Sequence, residues 1–243
     1  MKPNWFEEWF DSPYYHLLYC NRSAEEAESF IKKLTQKLDL RKGAKVLDVA
    51  CGKGRHSRTL ASLGYDVTGI DLSANSIAFA KNFENAHLKF EVFDMRKTYA
   101  AQKFDYVFNL FSSFGYFEEE VDDVNAMKAF GASLKSGGTL VMDYINCEWA
   151  VKMMKPREIV QRDEIQFHIQ KRIEKGFILK SIDFLDKNED HHYEERLKVI
   201  NLNKFEKMLH DARFELKQTF GDYDLSEFSR GSSPRLIMVA KKQ

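Results

Sequence analysis

The sequence is poor in cysteine and proline. Only three cysteines, Cys20, Cys51 and Cys147, occur among 243 residues. A sparse, odd set without paired spacing excludes a disulfide framework or a Cys-rich zinc site and fits a reducing compartment. Four prolines and no Pro- or Gly-rich linker, internal repeat or low-complexity segment point to one domain spanning 1–243. No apolar run approaches the roughly 20 residues of a membrane helix. The acidic, aromatic start MKPNWFEEWFDSPYYH does not read as a secretory signal. An excess of one charge is also missing, since 37 Lys plus Arg balance 37 Asp plus Glu. Nucleic-acid binders usually carry a basic surplus, so no such partner is expected. The absences together imply a soluble cytoplasmic protein without a membrane partner. What is abundant is apolar: 44% of residues are hydrophobic and 20 are Phe, enough for a sizeable core.

The patterning divides the chain into three stretches. Residues 1–40 read as a helical cap. An aromatic-rich helix near 3–10 precedes a longer one that Ser23 and Glu26 open as a capping box. Ala27, Phe30, Ile31, Leu34 and Leu38 then recur at helical spacing. From KVLDVA to TLVMDYI, short apolar strands alternate with helices, the pattern of parallel βαβ units covered on both faces. Val124, Met127 and Leu134 mark the helix before KSGG. Residues 147–200 change period: IQFHIQKRI, FILKSIDFL and HYEERLKVI alternate apolar and polar, as antiparallel strands with one exposed face do. A last amphipathic helix around Phe205, Met208 and Leu209 and two final strands follow.

The stretch DVACGKGRHS, residues 48–57, places glycines between the first strand and the first helix that follows it. Such a turn lets backbone approach a ligand at the strand's carboxyl end. A dinucleotide turn requires GxGxxG, but after Gly52 and Gly54 Ser57 stands where its third glycine belongs, and the register that starts at Ala50 lacks its first glycine. A phosphate loop requires Gly-Lys-Ser/Thr, but Gly54 follows Lys53. A ligand without phosphate, S-adenosylmethionine, fits the remaining features. Backbone at Ala50, Cys51, Gly52 and Gly54 can lie close to it. Asp71, 19 residues after Gly52, ends the second strand where a carboxylate can accept from ribose hydroxyls, with Leu72 next to it. Asp94 ends the third strand, placed for an adenine amino group, with Met95 beside the ring. Asn109, Leu110 and Phe111 end the fourth strand as the floor beneath the sulfonium. Asp48 has two readings, a cap on the turn or a cofactor contact.

With VLDVACGKG, VTGIDLS, LKSGGTLVMDY and FGDY in this order, the chain resembles the class I S-adenosylmethionine-dependent methyltransferases over nearly its whole length. It looks most like the small-molecule N-methyltransferases of the glycine methyltransferase type. The resemblance implies an α/β, Rossmann-like seven-stranded sheet with helices on both faces and an antiparallel last strand. It also implies an antiparallel β lid inserted after strand 5, and transfer of a methyl group to nitrogen or oxygen of a small molecule. By the same resemblance, Tyr19 lies near the reacting methyl and Arg22 holds the cofactor's carboxylate. His16 and Tyr116 join Tyr19 as catalytic candidates by position alone.

No metal site is expected, because the EDHHYEE cluster reads as a hairpin with a solvated face. His168 alternates with polar neighbours and reads as exposed. Ile145 stands where glycine-type enzymes carry the arginine that binds the substrate carboxylate, so Asp143, Tyr144 and Asn146 suggest a neutral or cationic acceptor. Arg235 is a further positive charge that could face the pocket. An enzyme of this kind needs no catalytic dyad, since aligning the reactants and excluding water suffices. The rival reading is a regulatory or assembly protein that binds S-adenosylmethionine without turnover.

Overall fold

The computed structural model describes residues 5–20 and 24–243, so Arg22 and Ser23 lie outside the described residues. Helices α1 (Trp5–Asp11), α2 (Pro13–Leu18) and α3 (Ala24–Lys37) come first. Strand and helix then alternate through β1 (Lys45–Val49), α4 (Arg55–Ser62), β2 (Asp66–Asp71), α5 (Ala74–Ala80) and β3 (Leu88–Val92). Strand β4 (Phe104–Asn109), α6 (Glu120–Ser133) and β5 (Leu134–Ile145) continue the run. After α7 (Cys147–Lys152) come four strands, β6 (Arg157–Arg162), β7 (Ile165–Glu174), β8 (Phe177–Asp186) and β9 (Glu189–Lys198). Helix α8 (Leu202–Asp211), β10 (Phe214–Phe220) and β11 (Arg235–Lys242) complete the chain.

Seven strands pair in the order β10-β11-β5-β4-β1-β2-β3, parallel from β3 to β5, with β11 antiparallel to both of its neighbours. The central strands are apolar throughout because both faces are covered. On one face lie Phe30, Ile31 and Leu34 of α3 with Leu60 of α4 and Ile77 of α5. On the other lie Met127 and Phe130 of α6 with Phe205 and Leu209 of α8. Each such side chain contributes about 1.5–3 kcal/mol by leaving water. Three local outcomes differ from the sequence reading. Leu134 does not close α6 but opens β5, where it pairs with Phe104. Strand β6 was not anticipated, because its residues alternate between exposed and half-buried and offer no apolar face. Helix α7 was also missed; Asn146 caps it by accepting from the Glu148 amide at 3.2 Å.

The second sheet, β6-β7-β8-β9, is antiparallel throughout and follows β5. Its inner face, with Ile165, Phe167, Ile169, Ile182 and Phe184, has too few partners of its own. The N-terminal helices complete this core with Trp9 and Leu18. Trp9 is fully buried, and its indole donates to Glu195 Oε1 at 2.7 Å. Among the described residues no helix is long and apolar enough to cross a membrane.

The return from the small sheet to the large one is anchored at Lys198. Its backbone N–H donates to the Gly115 carbonyl at 2.9 Å, and its own carbonyl accepts from the Tyr144 hydroxyl at 2.7 Å. Its ammonium is buried against Asp123 and donates to the Glu119 carbonyl at 3.2 Å. Removing one partner of a buried ion pair strands the other charge at a cost of about 3–5 kcal/mol. Asp123→Ala should therefore lower the urea unfolding free energy by about that amount. A loss under about 1 kcal/mol would mean that the pair does not hold this junction.

Candidate functional site

The carboxyl ends of β1 to β4 meet at one rim, and the backbone there leaves ordinary geometry. Ala50, after β1, has a φ of 58°, and Phe111 and Ser112, after β4, have 60° and 58°. Left-handed non-glycine residues cost energy and persist where surrounding contacts hold them. Asp143, from β5, holds the second pair. One carboxylate oxygen accepts the Phe111 N–H at 2.8 Å, and the Asp143 carbonyl accepts the Ser112 N–H at 2.9 Å. The two glycines of the turn differ in purpose. A side chain at Gly54, which has a φ of 79°, would collide with Phe90 at 2.5 Å, so that glycine serves packing. Gly52 has a φ of 55°, lines a cavity, and would present a Cβ to open space.

That cavity has a volume of about 420 Å³ and lies over the strand ends, beneath α1 and α2. Asp71 binds both of its flanks: one oxygen accepts the Gly52 N–H and the other the Ser73 N–H, each at 2.8 Å. It thus fixes the glycine turn and the start of α5 while still lining the cavity. Burial raises its pKa, and the amides of Ser73 and Gly52 oppose that rise. Asp94 also lines the cavity and is gripped by Arg96, whose NH2 group lies 2.7 Å from it. Its pKa is lowered: burial pushes it up, but the Arg96 guanidinium outweighs burial. Asp48 is buried at the end of β1 and accepts from the Ser57 hydroxyl at 2.5 Å. Burial pushes its carboxyl from 3.8 up to about 7.

Asp48, Ala50, Cys51, Gly52, Asp71, Leu72, Asp94, Met95, Leu110 and Phe111 all line the cavity, as do His16, Tyr19 and Tyr116. Gly54 and Asn109 do not line it. The Asn109 side chain is buried and donates to the Val49 carbonyl at 3.2 Å, tying β4 to β1 behind the rim. Tyr19 reaches the small sheet, where its hydroxyl donates to Glu195 at 2.6 Å and accepts from Lys180 at 2.5 Å. The pKa of His16 is lowered by burial and by the nearby Lys53. Sequence reasoning missed Phe6, Phe10, Lys53, Arg55 and His56 on the cavity wall. The last three were in plain view beside the glycines. Their place at the start of a helix that follows a strand end was the signal.

The reading of Asp143, Tyr144, Asn146 and Arg235 as acceptor-facing is corrected, for none of them lines the cavity. Arg235 is 2.7 Å from Asp143 and donates to Ser112 Oγ at 2.9 Å, so the two charges neutralise each other. Tyr144 is bound to Lys198, and Asn146 donates to the Arg230 and Ser233 carbonyls, both at 2.8 Å. Ile145 is half-buried against the core, and its backbone N–H donates to Ser112 Oγ. His168 is exposed, as read.

A family model described as a methyltransferase domain matches residues 46–138, the stretch that builds this rim. Over 234 residues the chain is 29% identical to the glycine/sarcosine N-methyltransferase of Aphanothece halophytica, covering 91% of this chain and 83% of that one. An S-adenosylmethionine-dependent methyltransferase from Clostridium acetobutylicum superposes with a TM-score of 0.78 at 19% identity, covering 94% and 96% of the two chains. Residues 46–138 thus form a methyltransferase domain, and the chain has the fold of the S-adenosylmethionine-dependent methyltransferases. The sugar N-methyltransferase KedS8 of a Streptoalloteichus species shares the methyltransferase's fold, with a TM-score of 0.71 at 22% identity over 94% and 92% of the chains.

Asp48 gives the methyltransferase a pH signature. Below about pH 4 the carboxyl is protonated in the folded and unfolded states alike. Between about pH 4 and 7 the unfolded chain releases this proton and the folded one keeps it, so stability falls as pH rises and levels off above 7. Asp48→Asn should remove this component. Thermal midpoints of the ligand-free protein from pH 4 to 8 should show the variant gaining on the parent as pH rises. Parallel curves would mean that Asp48 does not titrate in this window.

Proposed function

We propose that this methyltransferase moves the methyl group of S-adenosylmethionine to a nitrogen of a small molecule. The observation that carries the reading is the glycine turn and the Asp71 carboxylate, hydrogen-bonded together on one cavity wall, with Asp94 at the next strand end. The residues present fit the cofactor chemically. Asp71 has acceptor capacity left for the ribose hydroxyls and Asp94 for the adenine amino group. Leu72 and Met95 offer apolar contact to the ring between those acids. Gly52 leaves space where a side chain would intrude, and Ala50, Cys51, Leu110 and Phe111 complete the wall. Arg22 remains our candidate for the carboxylate. The preference for nitrogen rests on the relatives, which are named for glycine, sarcosine and sugar N-methylation.

When bound, the sulfonium supplies a methyl group already activated for displacement. The protein's part is alignment and the exclusion of water. Tyr19, His16 and Tyr116 line the cavity and are proposed to position the acceptor. Burial and then the Lys53 charge disfavour the protonated form of His16, which makes its imidazole our candidate to take the proton that an amine releases. We read 1–243 as one domain in which the 1–40 cap and the 147–200 insertion act together as a lid. Their shared core of Trp9, Leu18 and Phe167 supports this.

Incubation with S-adenosylmethionine and panels of small amines and hydroxyl compounds should yield S-adenosylhomocysteine with an amine. A protein that binds the cofactor yet yields no product with any acceptor would favour the rival, non-catalytic reading. Hydrogen bonds to a charged group contribute about 1.5–3 kcal/mol each, so Asp71→Ala should weaken cofactor binding well over tenfold. Calorimetry on this variant, with circular dichroism to verify its fold, tests the assignment; unchanged affinity in a folded variant would remove it.

A further inference from the structure

The helices above the cavity turn an aromatic surface toward it. Phe6 and Phe10 of α1, Tyr15 of α2 and Tyr19 just after it line the space, and Tyr116 joins them from the segment after β4. All five are half-buried, whereas Trp9 and Leu18 of the same helices are buried against the small sheet. The helices thus present one apolar side to their own core and a second, open one to the cavity. Phe10 is the centre of the open side. Its ring centroid lies 4.9 Å from that of Tyr15 and 5.1 Å from that of Tyr116, and Tyr15 lies 5.0 Å from Tyr19. Aromatic surface that faces a cavity gains free energy when a ligand ring covers it.

The polar groups around these rings are committed elsewhere. Among the described residues, those that α1, α2 and the 113–117 segment contribute to the cavity include no carboxylate, ammonium or guanidinium. The Tyr19 hydroxyl is held by Glu195 and Lys180 of the small sheet. Ser113 donates to the Leu110 carbonyl at 2.8 Å. Asp11, at the end of α1, accepts from Ser73 and Asn75 and does not line the cavity. The cations that do line it are each set over a ring outside this group. Lys53 Nζ lies 5.3 Å from the ring centre of Phe79, which is 45% exposed on α5, and the Arg55 guanidinium lies 4.6 Å from that of Phe111. His16 stands in the same row, with its ring 5.4 Å from Tyr15.

A sugar or an amino acid would bring several hydroxyls or a carboxylate to a surface with few partners for them, and each unmatched polar group weakens binding. A planar ring that carries one amine matches the surface. It packs on aromatic neighbours and needs a single polar partner, His16. We propose that the acceptor is an amine carried on an aromatic ring, free of carboxylate and phosphate, and that Phe10 is the residue that selects it. The assignment rests on the S-adenosylmethionine reading above. It separates this chain from the relatives named for glycine, sarcosine and sugar N-methylation.

The test measures binding of four amines to the full chain saturated with S-adenosylhomocysteine, by calorimetry. Benzylamine is the aromatic probe, and cyclohexylmethylamine is its saturated counterpart, at least as apolar and equally charged. Phenylglycine adds a carboxylate, and glucosamine supplies hydroxyls in place of the ring. Benzylamine should bind about threefold or more tighter than cyclohexylmethylamine, since ring pairs gain beyond their buried area. It should bind about tenfold or more tighter than phenylglycine and glucosamine. Phe10→Leu should bring benzylamine and cyclohexylmethylamine to within about twofold of each other, and Phe10→Tyr should keep the parent's preference. Equal binding of those two amines by the parent, tighter binding of phenylglycine or glucosamine, or no binding of benzylamine would overturn the aromatic class without recourse to any variant. A preference that survives Phe10→Leu unchanged would overturn the role of Phe10. If the parent does not bind S-adenosylhomocysteine, the S-adenosylmethionine reading fails and this proposal with it, a result distinct from any ranking of the amines.

Discussion

The site depends on a buried carboxylate that never touches the cavity. Asp143 accepts from the Phe111 amide, from the Tyr223 hydroxyl at 3.2 Å and from the Arg235 guanidinium. A carboxylate out of water is tolerable only when its charge is paired and its oxygens are occupied, and both conditions are met. Through these bonds the last strand, β11, reaches across β5 to brace the end of β4. That brace holds Phe111 and Ser112 in the left-handed region, from which Leu110, Phe111 and Ser113 enter the cavity wall. The antiparallel strand at this side of the sheet therefore has a local purpose besides completing the core. Its arginine is the counter-charge without which the strained turn would relax.

Asp71 solves a similar problem on the other side of the rim. By bonding to the amides of Gly52 and Ser73, it sets the spacing between the glycine turn and α5. Helix α1 docks onto the same place, because Asp11 accepts from the Ser73 hydroxyl and from Asn75 Nδ2 at 2.6 Å. Bonding the first turn of a helix and lining a cavity are thus compatible for a strand-end acid. A carboxylate has enough lone pairs to cap a helix and still face a ligand. The same is true of Asp94, whose pairing with Arg96 fixes its orientation. The cavity that results is polarised, with acids over β2 and β3 and cations at the start of α4. A ligand with hydroxyl and amine donors at one end and a carboxylate at the other is oriented by that field.

The antiparallel sheet and the N-terminal helices depend on each other for burial. The four-stranded sheet has one apolar face, and α1 and α2 have aromatic stripes that do not bury themselves. Together they enclose Trp9, Phe167 and Ile182. Tyr19 lies at their junction, bonded to Lys180 and Glu195 of the small sheet while lining the cavity. Movement of either element would shift this phenol and with it the cavity wall.

The sequence by itself determined the order of elements, the parallel sheet and the strand ends that carry Asp71 and Asp94. Periodicity, capping residues and glycine spacing are local properties, legible wherever each segment's burial is uniform. It was weakest where burial is shared or partial, as at β6, whose residues offer no clean alternation, and at Leu134, where strand pairing with Phe104 ended the helix early. Only the tertiary structure decided what the charged residues near the site do. Asp143 and Arg235 are 92 residues apart, and their neutralisation of each other depends on β11 pairing with β5. Lys53, Arg55 and His56 stood beside the glycines in the sequence, but that all three line the cavity is a property of the folded chain, in which Arg55 and His56 of α4 pack against Phe111. Pattern reveals which face of an element is apolar. The partner of a given charge is set by chain folding in three dimensions, since its energy depends on distance and burial and not on separation along the sequence.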